Sequence, residues 1–149
     1  MKPDRHMLLP ALNHDPAGRP LCRWCGGPVA KPRKTFCSTV CVDEYLVRSS
    51  PGAAARAVLA RDEGVCALCG IDTVAYQRAW WRVGWKATRD MQKRHRLTGR
   101  GRWWDVDHIV PVVHGGGSCG IDNLRTLCVW CHRAETAALA KRLAGSRHA

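Results

Sequence analysis

Phenylalanine and tyrosine are nearly missing from this sequence, whose 149 residues include one Phe and two Tyr. No apolar run approaches the roughly 20 residues that a membrane-spanning helix needs. The short run Met7-Leu8-Leu9 is cut by Pro10, so no signal peptide is predicted. We therefore expect a soluble, intracellular (cytoplasmic) protein with reduced thiols. Aliphatic burial alone would leave a core of this size marginal, so the fold needs another source of stability.

Acidic side chains are also scarce, because twelve Asp and Glu accompany twenty-four Lys and Arg and leave a net charge of +12. The positive charge is concentrated: nine basic residues and one acid, Asp90, lie between Thr73 and Trp104. Basic composition can simply aid solubility, but this clustering favours binding to a polyanion such as nucleic acid.

Cysteine, by contrast, is abundant, and eight of the nine cysteines form four closely spaced pairs. Thiolates two or three residues apart can turn toward one ion at about 2.3 Å, so two pairs suit one tetrahedral zinc site. We predict two structural Zn²⁺ ions; disulfides or scattered buried thiols are the alternative. The leftover Cys119 is predicted to be a free thiol. The predicted ligands are Cys22, Cys25, Cys37 and Cys41, then Cys66, Cys69, Cys128 and Cys131.

The pairs also repeat along the chain. Cys22 and Cys66 each begin a Cys-x2-Cys-Gly segment, 44 residues apart, and the Gly suits a knuckle turn with positive φ. The second pair of each set precedes a predicted helix, so two treble-clef-like units follow one another. We expect a flexible arm over 1–21, an N-terminal zinc finger over 22–48, and a second domain over 49–149 with a basic, Trp-rich insert at 73–104.

The insert has helical periodicity. Its apolar residues recur at i+3 and i+4 and predict one helix, which Gly84 weakens by about 1 kcal/mol. Trp81 and Trp85 lie off the apolar stripe and could stack on unpaired bases, although such residues are more often core. The stripe is Tyr76, Trp80, Val83, Ala87 and Met91. The opposite face carries the predicted nucleic-acid contacts Arg78, Arg82, Lys86, Arg89 and Lys93, which would bind backbone phosphate.

The C-terminal third predicts a ββα order: a strand over 103–113 interrupted by Pro111, a Gly-rich loop, a return segment over 123–127, and a helix over 129–143. Adjacent strand residues point to opposite sides of a sheet. Asp107 could therefore bind a metal while His108 faces a water beside it. The predicted class is α+β.

Two segments carry a resemblance to a known family: Trp104-Asp105-Val106-Asp107-His108-Ile109, and Asp122-Asn123-Leu124-Arg125-Thr126-Leu127-Cys128 with Cys131-His132. They resemble the HNH endonucleases, including bacterial and phage proteins and the C-terminal nuclease domain of a eukaryotic annealing helicase. The resemblance implies a small zinc-stabilised ββα-metal (HNH, treble-clef-like) core preceded by a treble-clef-like zinc finger.

The resemblance also implies roles for single residues. His108 matches the general base, and Asp107 and His132 match the pair that holds one catalytic divalent metal: Mg²⁺, Mn²⁺ or Zn²⁺. Asn123 matches the residue that ties down the loop and orients the base. Asp105 stands where many relatives have Glu and is given a supporting role. Arg125 could contact phosphate or be surface charge, and His132 could instead be a spare zinc ligand.

These roles predict a metal-dependent endonuclease that hydrolyses the phosphodiester bonds of DNA, nicking it or acting on branched or forked forms. Two alternatives stay open: a non-catalytic zinc-finger DNA-binding or adaptor protein, and an RNA-directed nuclease.

Overall fold

The computed structural model describes residues 12–146, and the first eleven residues of the predicted arm lie outside them. Within this range, five α-helices and a two-stranded sheet make up a small α+β fold, as the sequence predicts. No helix in the described range is long and apolar enough to cross a membrane. The elements are α1 (Thr39–Ser49), α2 (Pro51–Asp62), α3 (Thr73–Val83), α4 (Trp85–Arg94), β1 (Trp104–His108), β2 (Leu124–Cys128) and α5 (Val129–Gly145).

The first two helices are joined at Ser50. Its backbone N–H donates to the Leu46 carbonyl at the end of α1, and its hydroxyl accepts from the Ala53 N–H at the start of α2. Pro51 at the first helical position suits this junction, because proline needs no hydrogen-bond partner there. The fully buried Val58 of α2 packs against Leu124 of β2.

β1 and β2 pair antiparallel, with Trp104 opposite Cys128 and His108 opposite Leu124. The first strand ends at His108, so the prediction of a strand over 103–113 is wrong for the residues after it. After His108, the backbone N–H and carbonyl of Val110 both hydrogen-bond to the Asn123 side chain and not to β2. Pro111 has no N–H to donate to a neighbouring strand. The chain leaves the sheet and forms two short 3₁₀ turns before β2, at Val112–His114 and Ile121–Asn123.

The insert forms two helices, so the prediction of one continuous helix is wrong. Gly84 separates α3 from α4 with φ 118° and ψ 156°, a conformation that residues other than glycine rarely adopt. The Thr88 hydroxyl donates to the carbonyls of Trp80 and Gly84 and fastens the corner. Val83, predicted to face the core, is exposed.

The main core lies between the insert and α5. Trp103 and Leu97 are completely buried there, and Tyr76 meets Trp103 and Trp130 edge to face. Partly buried Trp80 also packs against this cluster. The two remaining members are Met91 of α4 and Val129 of α5.

The outer edge of β2 is covered by the end of α2 and the loop after it. Asp62 accepts the Thr126 N–H at 3.0 Å, and the Ala67 N–H donates to the Thr126 carbonyl at 2.9 Å. Arg61 donates to the carbonyls of Ile121 and Leu124 at 2.8 and 2.7 Å. The hydrogen bond from Arg61 holds the pKa of the Asp62 carboxyl below its usual range despite partial burial. These contacts join α2 to the sheet.

Replacing Asp62 with Ala should therefore destabilise the protein, because the Thr126 N–H loses its acceptor. We expect the free energy of unfolding to fall by about 1–3 kcal/mol, measured by urea denaturation followed through Trp fluorescence. Asp90→Ala, which removes an exposed acid on α4, is the matched control. Equal stabilities for the two variants would show that the Asp62 contact contributes nothing.

Candidate active site and cysteine clusters

The first cysteine cluster is built from a knuckle turn and the start of α1. The Gly26 N–H donates to the Cys22 carbonyl at 2.9 Å, and Gly26 takes φ 72°, as its place after the pair predicts. The Ser38 hydroxyl accepts the Cys41 N–H and starts the helix that carries the last cysteine. All four Sγ atoms, from Cys22, Cys25, Cys37 and Cys41, lie within 4.8 Å of one another.

The second cluster has the same construction. The Gly70 N–H donates to the Cys66 carbonyl at 2.9 Å, and Gly70 has φ 71°. Cys128 is both the last residue of β2 and the N-cap of α5, where its Sγ accepts the Cys131 N–H. The four Sγ atoms of Cys66, Cys69, Cys128 and Cys131 also lie within 4.8 Å of one another.

The spacing of the sulfurs fits a tetrahedral metal. Ligands about 2.3 Å from one ion lie about 3.8 Å apart at the tetrahedral angle. Cys25 and Cys37 are 3.5 Å apart, and Cys69 and Cys128 are 3.8 Å apart. Each cluster could therefore hold a metal ion. Cys119 lies outside both clusters and packs beside Val58.

The buried thiol of each knuckle favours the charged form that metals bind. Burial raises the pKa of Cys22 and of Cys66, but hydrogen bonds from backbone N–H groups outweigh it and lower both to about 6. For Cys66 these donors include Cys69 and Cys128. The backbone thus prepares one thiolate in each cluster at neutral pH.

A second polar centre lies where β1 meets α5. Asp105 and Asp107, two residues apart on β1, point to the same side, and the His132 imidazole lies between them. His132 Nδ1 is 3.2 Å from Asp105 Oδ2, and His132 Nε2 is 3.9 Å from Asp107 Oδ1. Because His132 directly follows Cys131 in α5, the second cysteine cluster fixes its position. The structure brings Asp107 and His132 together at a distance suited to a shared cation.

Two arginines hold the carboxylates in place. Arg125, opposite Asp107 in the strand register, donates through Nε to Asp107 Oδ2 at 2.9 Å, and its Nη2 also contacts Glu135 at 3.2 Å. Arg100 pairs with Asp105. The guanidinium of Arg125, predicted to contact nucleic acid, is thus engaged within the site. Sequence reasoning missed the roles of Arg100 and Glu135, since each contact joins residues from different segments, a loop with β1 and a strand with α5.

His108 ends β1 and, by strand alternation, points away from Asp107. It lines two neighbouring clefts, one with Asp107 and Arg125 and another with Asp105 and His132. The second cleft has a volume of about 710 Å³. Arg48 from α1, which also pairs with Glu44, and Arg102 line it, so the N-terminal cysteine unit forms part of the wall of the cleft that contains the histidine.

Asn123 organises the loop after His108. Its Oδ1 accepts the Val110 N–H at 2.8 Å, and its Nδ2 donates to the carbonyls of Val110 and Gly116 at 3.1 and 3.2 Å. Gly116 is required by this close approach, since a Cβ there would overlap the Val110 carbonyl and lie 2.8 Å from Asn123 Nδ2. The Asn side chain and the Gly together hold the backbone next to His108.

The predicted nucleic-acid contacts on α3 and α4 lie outside this centre, because none of them lines either cleft. The structure exposes all five predicted on α3 and α4: Arg78, Arg82, Lys86, Arg89 and Lys93. Arg133 of α5, by contrast, makes contacts within the protein: it donates to the carbonyls of His95 and Arg96 at 2.7 and 3.0 Å. This contact joins the end of α4 to the first turn of α5.

The sequence profile of the HNH endonucleases matches residues 96–138, which include β1, β2 and the start of α5. The chain belongs to this family. It is similar to the proteins called DNA annealing helicase and endonuclease ZRANB3, with 35% identity to that of Mus musculus and 34% to that of Homo sapiens. Each match covers 85% of this chain and 14% of the relative, so the chain spans about a seventh of their length.

A solved relative is described as the crystal structure of the human ZRANB3 HNH domain. It is 32% identical to this chain, and the match covers 67% of this chain and 98% of that domain with a TM-score of 0.48.

Replacing Gly116 with Ala should disturb the loop that Asn123 holds. We expect faster amide exchange over residues 109–116, because the new methyl group displaces the Val110 carbonyl, measured by hydrogen–deuterium exchange. The control is Gly101→Ala, since a Cβ at Gly101 meets nothing within 4 Å. Unchanged exchange in Gly116→Ala would show that the loop tolerates a side chain there.

Proposed function

We propose that this protein is a metal-dependent endonuclease that hydrolyses phosphodiester bonds of DNA. The observation that carries the proposal is the position of His108, which lines one cleft with Asp107 and another with Asp105 and His132. His108, a candidate base, thus borders both the cleft that Asp107 lines and the cleft that His132 lines, and arginine side chains line each of them. A base, a cation-binding pair and positive charge are the groups that phosphodiester hydrolysis needs.

In this proposal His108 takes a proton from a water molecule, whose oxygen attacks the phosphorus. The bond from phosphorus to the 3′ oxygen breaks, and that oxygen takes a proton from solvent, which leaves a 3′-hydroxyl and a 5′-phosphate. Asp107 and His132 would hold a divalent cation, Mg²⁺, Mn²⁺ or Zn²⁺, that supplies stabilisation of the negative charge on the departing oxygen. Asn123 keeps the backbone beside His108 in place, and Arg125 orients Asp107.

The similar proteins bear names that include both a DNA helicase and an endonuclease, which favours DNA over RNA as the substrate here. Forked and branched DNA are the forms to test first. The exposed cations of α3 and α4 would bind backbone phosphate, which adds affinity without reading the base sequence.

Structural zinc in both cysteine clusters is part of the proposal. The spacing of the sulfurs and the donated N–H groups fit Zn²⁺ bound by four thiolates. In the second cluster the metal would join the knuckle after α2 to the junction of β2 and α5, and so hold His132 in the site.

Replacing His108 with Ala should lower the rate of DNA cleavage by at least about 100-fold, because the water loses its proton acceptor. Binding should stay unchanged. Cleavage of supercoiled plasmid and of a forked oligonucleotide is measured with Mg²⁺, Mn²⁺ or EDTA, and binding by fluorescence anisotropy. His14→Ala, which changes an exposed histidine outside the site, is the control.

Full activity in His108→Ala would remove this residue from the mechanism. If wild-type protein binds DNA and cuts none of these substrates with any metal, the chain is a DNA-binding adaptor and not a nuclease. Cleavage of RNA with no cleavage of DNA would assign the alternative substrate.

The purified protein should contain two Zn²⁺ per chain, measured by inductively coupled plasma mass spectrometry. Cys25→Ser should lower the content to one and leave the site around His132 folded. Cys131→Ser should also remove one zinc, but it should unfold the catalytic core because metal binding and folding are coupled there. Cys119→Ser, outside both clusters, should retain two. Full zinc content in both cluster variants would contradict the assignment.

A further inference from the structure

The corner between α3 and α4 carries an exposed apolar group that the active site does not explain. Trp81, Val83 and Trp85 are 60%, 68% and 73% exposed, around the break at Gly84. The other tryptophans of the insert differ, because Trp103 and Trp104 are 0% and 5% exposed. A cluster of large apolar side chains exposed to solvent indicates a binding surface.

The structure holds these side chains outward. Trp80 and Tyr76, on the inner side of α3, pack against the core around Trp103. Thr88 ties the corner to the carbonyls of Trp80 and Gly84 at 2.7 and 2.9 Å. Because the inner positions are filled and the backbone of the corner is fastened, Trp81 and Trp85 project into solvent on the two sides of the break, and we call them the tryptophan corner.

Positive charge surrounds the tryptophan corner. Arg82 and Lys86 each follow one of the two tryptophans directly, and both are exposed. Arg78 and Arg89 lie one turn farther from the break on each helix. An occupant must therefore combine negative charge with flat apolar faces. Nucleic acid does so only where bases are unpaired, because the faces of paired bases are stacked inside the duplex.

We propose that Trp81 and Trp85 stack on unpaired bases of a single-stranded DNA segment, while the neighbouring Arg and Lys side chains hold its phosphates. This proposal rests on the proposed nuclease function and names the substrate class: DNA with a single-stranded arm beside the duplex that is cut. Aromatic side chains interleaved with cations bind single strands with little sequence preference.

The position of the tryptophan corner fits a branched substrate. The far end of α4 is fastened to Arg133, which directly follows His132. α4 has ten residues, so the corner lies about 15 Å along the helix from that contact. This length corresponds to about four or five nucleotides at the duplex rise of 3.4 Å. One strand can therefore reach both the corner and the site.

The test uses full-length protein with His108→Ala in every sample, so that binding is measured without cleavage. The probes are three labelled DNA molecules: a single strand, a blunt duplex, and a duplex with one single-stranded arm. Trp81→Ala and Trp85→Ala should each raise the Kd for the two probes with unpaired bases by roughly 5- to 150-fold. The Kd for the blunt duplex should change less than about 3-fold.

Val40→Ala is the control, because Val40 is an exposed apolar residue on α1, outside the tryptophan corner. It should leave all three Kd values nearly unchanged, and Trp85→Phe should restore part of the binding lost in Trp85→Ala. Arg82→Ala should weaken binding to all probes and reduce the salt dependence, as loss of one phosphate contact does. Circular dichroism checks that each variant is folded.

Equal losses on the blunt duplex and the single strand, or no loss on either, would overturn the stacking proposal. Cleavage by the protein with His108 intact is measured separately on a plasmid. If the plasmid is cut and the Trp variants bind normally, stacking fails while the nuclease proposal stands. If nothing is cut but single-strand binding depends on both tryptophans, stacking stands while the nuclease proposal fails.

Discussion

The convergence of Cys66, Cys69, Cys128 and Cys131 is the constraint on which the rest of the HNH region depends. Cys128 ends β2 and caps α5 at the same time, so the cluster sets the angle between strand and helix. His132 follows the last of these cysteines, and its place between Asp105 and Asp107 follows from that angle. A sheet of only two strands could not hold this geometry alone.

Around that constraint, each part of the site is positioned by a different kind of contact. Strand alternation separates His108 from Asp107, and cross-strand pairing places Arg125 against Asp107. The Asn123 side chain, and not β2, hydrogen-bonds the backbone of Val110, so the chain leaves the sheet after His108. The N-terminal finger adds Arg48 to the wall of the cleft. The HNH centre therefore uses residues from both cysteine units.

Local patterns predicted much of this arrangement. The Cys-x2-Cys-Gly segments predicted knuckles with positive φ at Gly26 and Gly70. These features depend on residues within one turn of each other. The prediction of one helix through the insert failed because Gly84 tolerates the break, while the burial of Trp80 and Met91 on either side of it stabilises two shorter helices.

By itself, then, the sequence determined the two cysteine sets, the ββα order, the HNH motif and the clustering of positive charge. Each of these depends on the spacing of residues that are close together in the chain. Only the tertiary structure decided that Arg100 and Arg125 hold the carboxylates, that Asp62 covers the edge of β2, and that Trp81 and Trp85 project while Trp103 is buried. Arg100 and Asp105 are close in the chain, but a loop and a strand must both form before they meet. The other outcomes depend on contacts between residues distant in the chain, and packing of the whole core selects among locally equivalent alternatives.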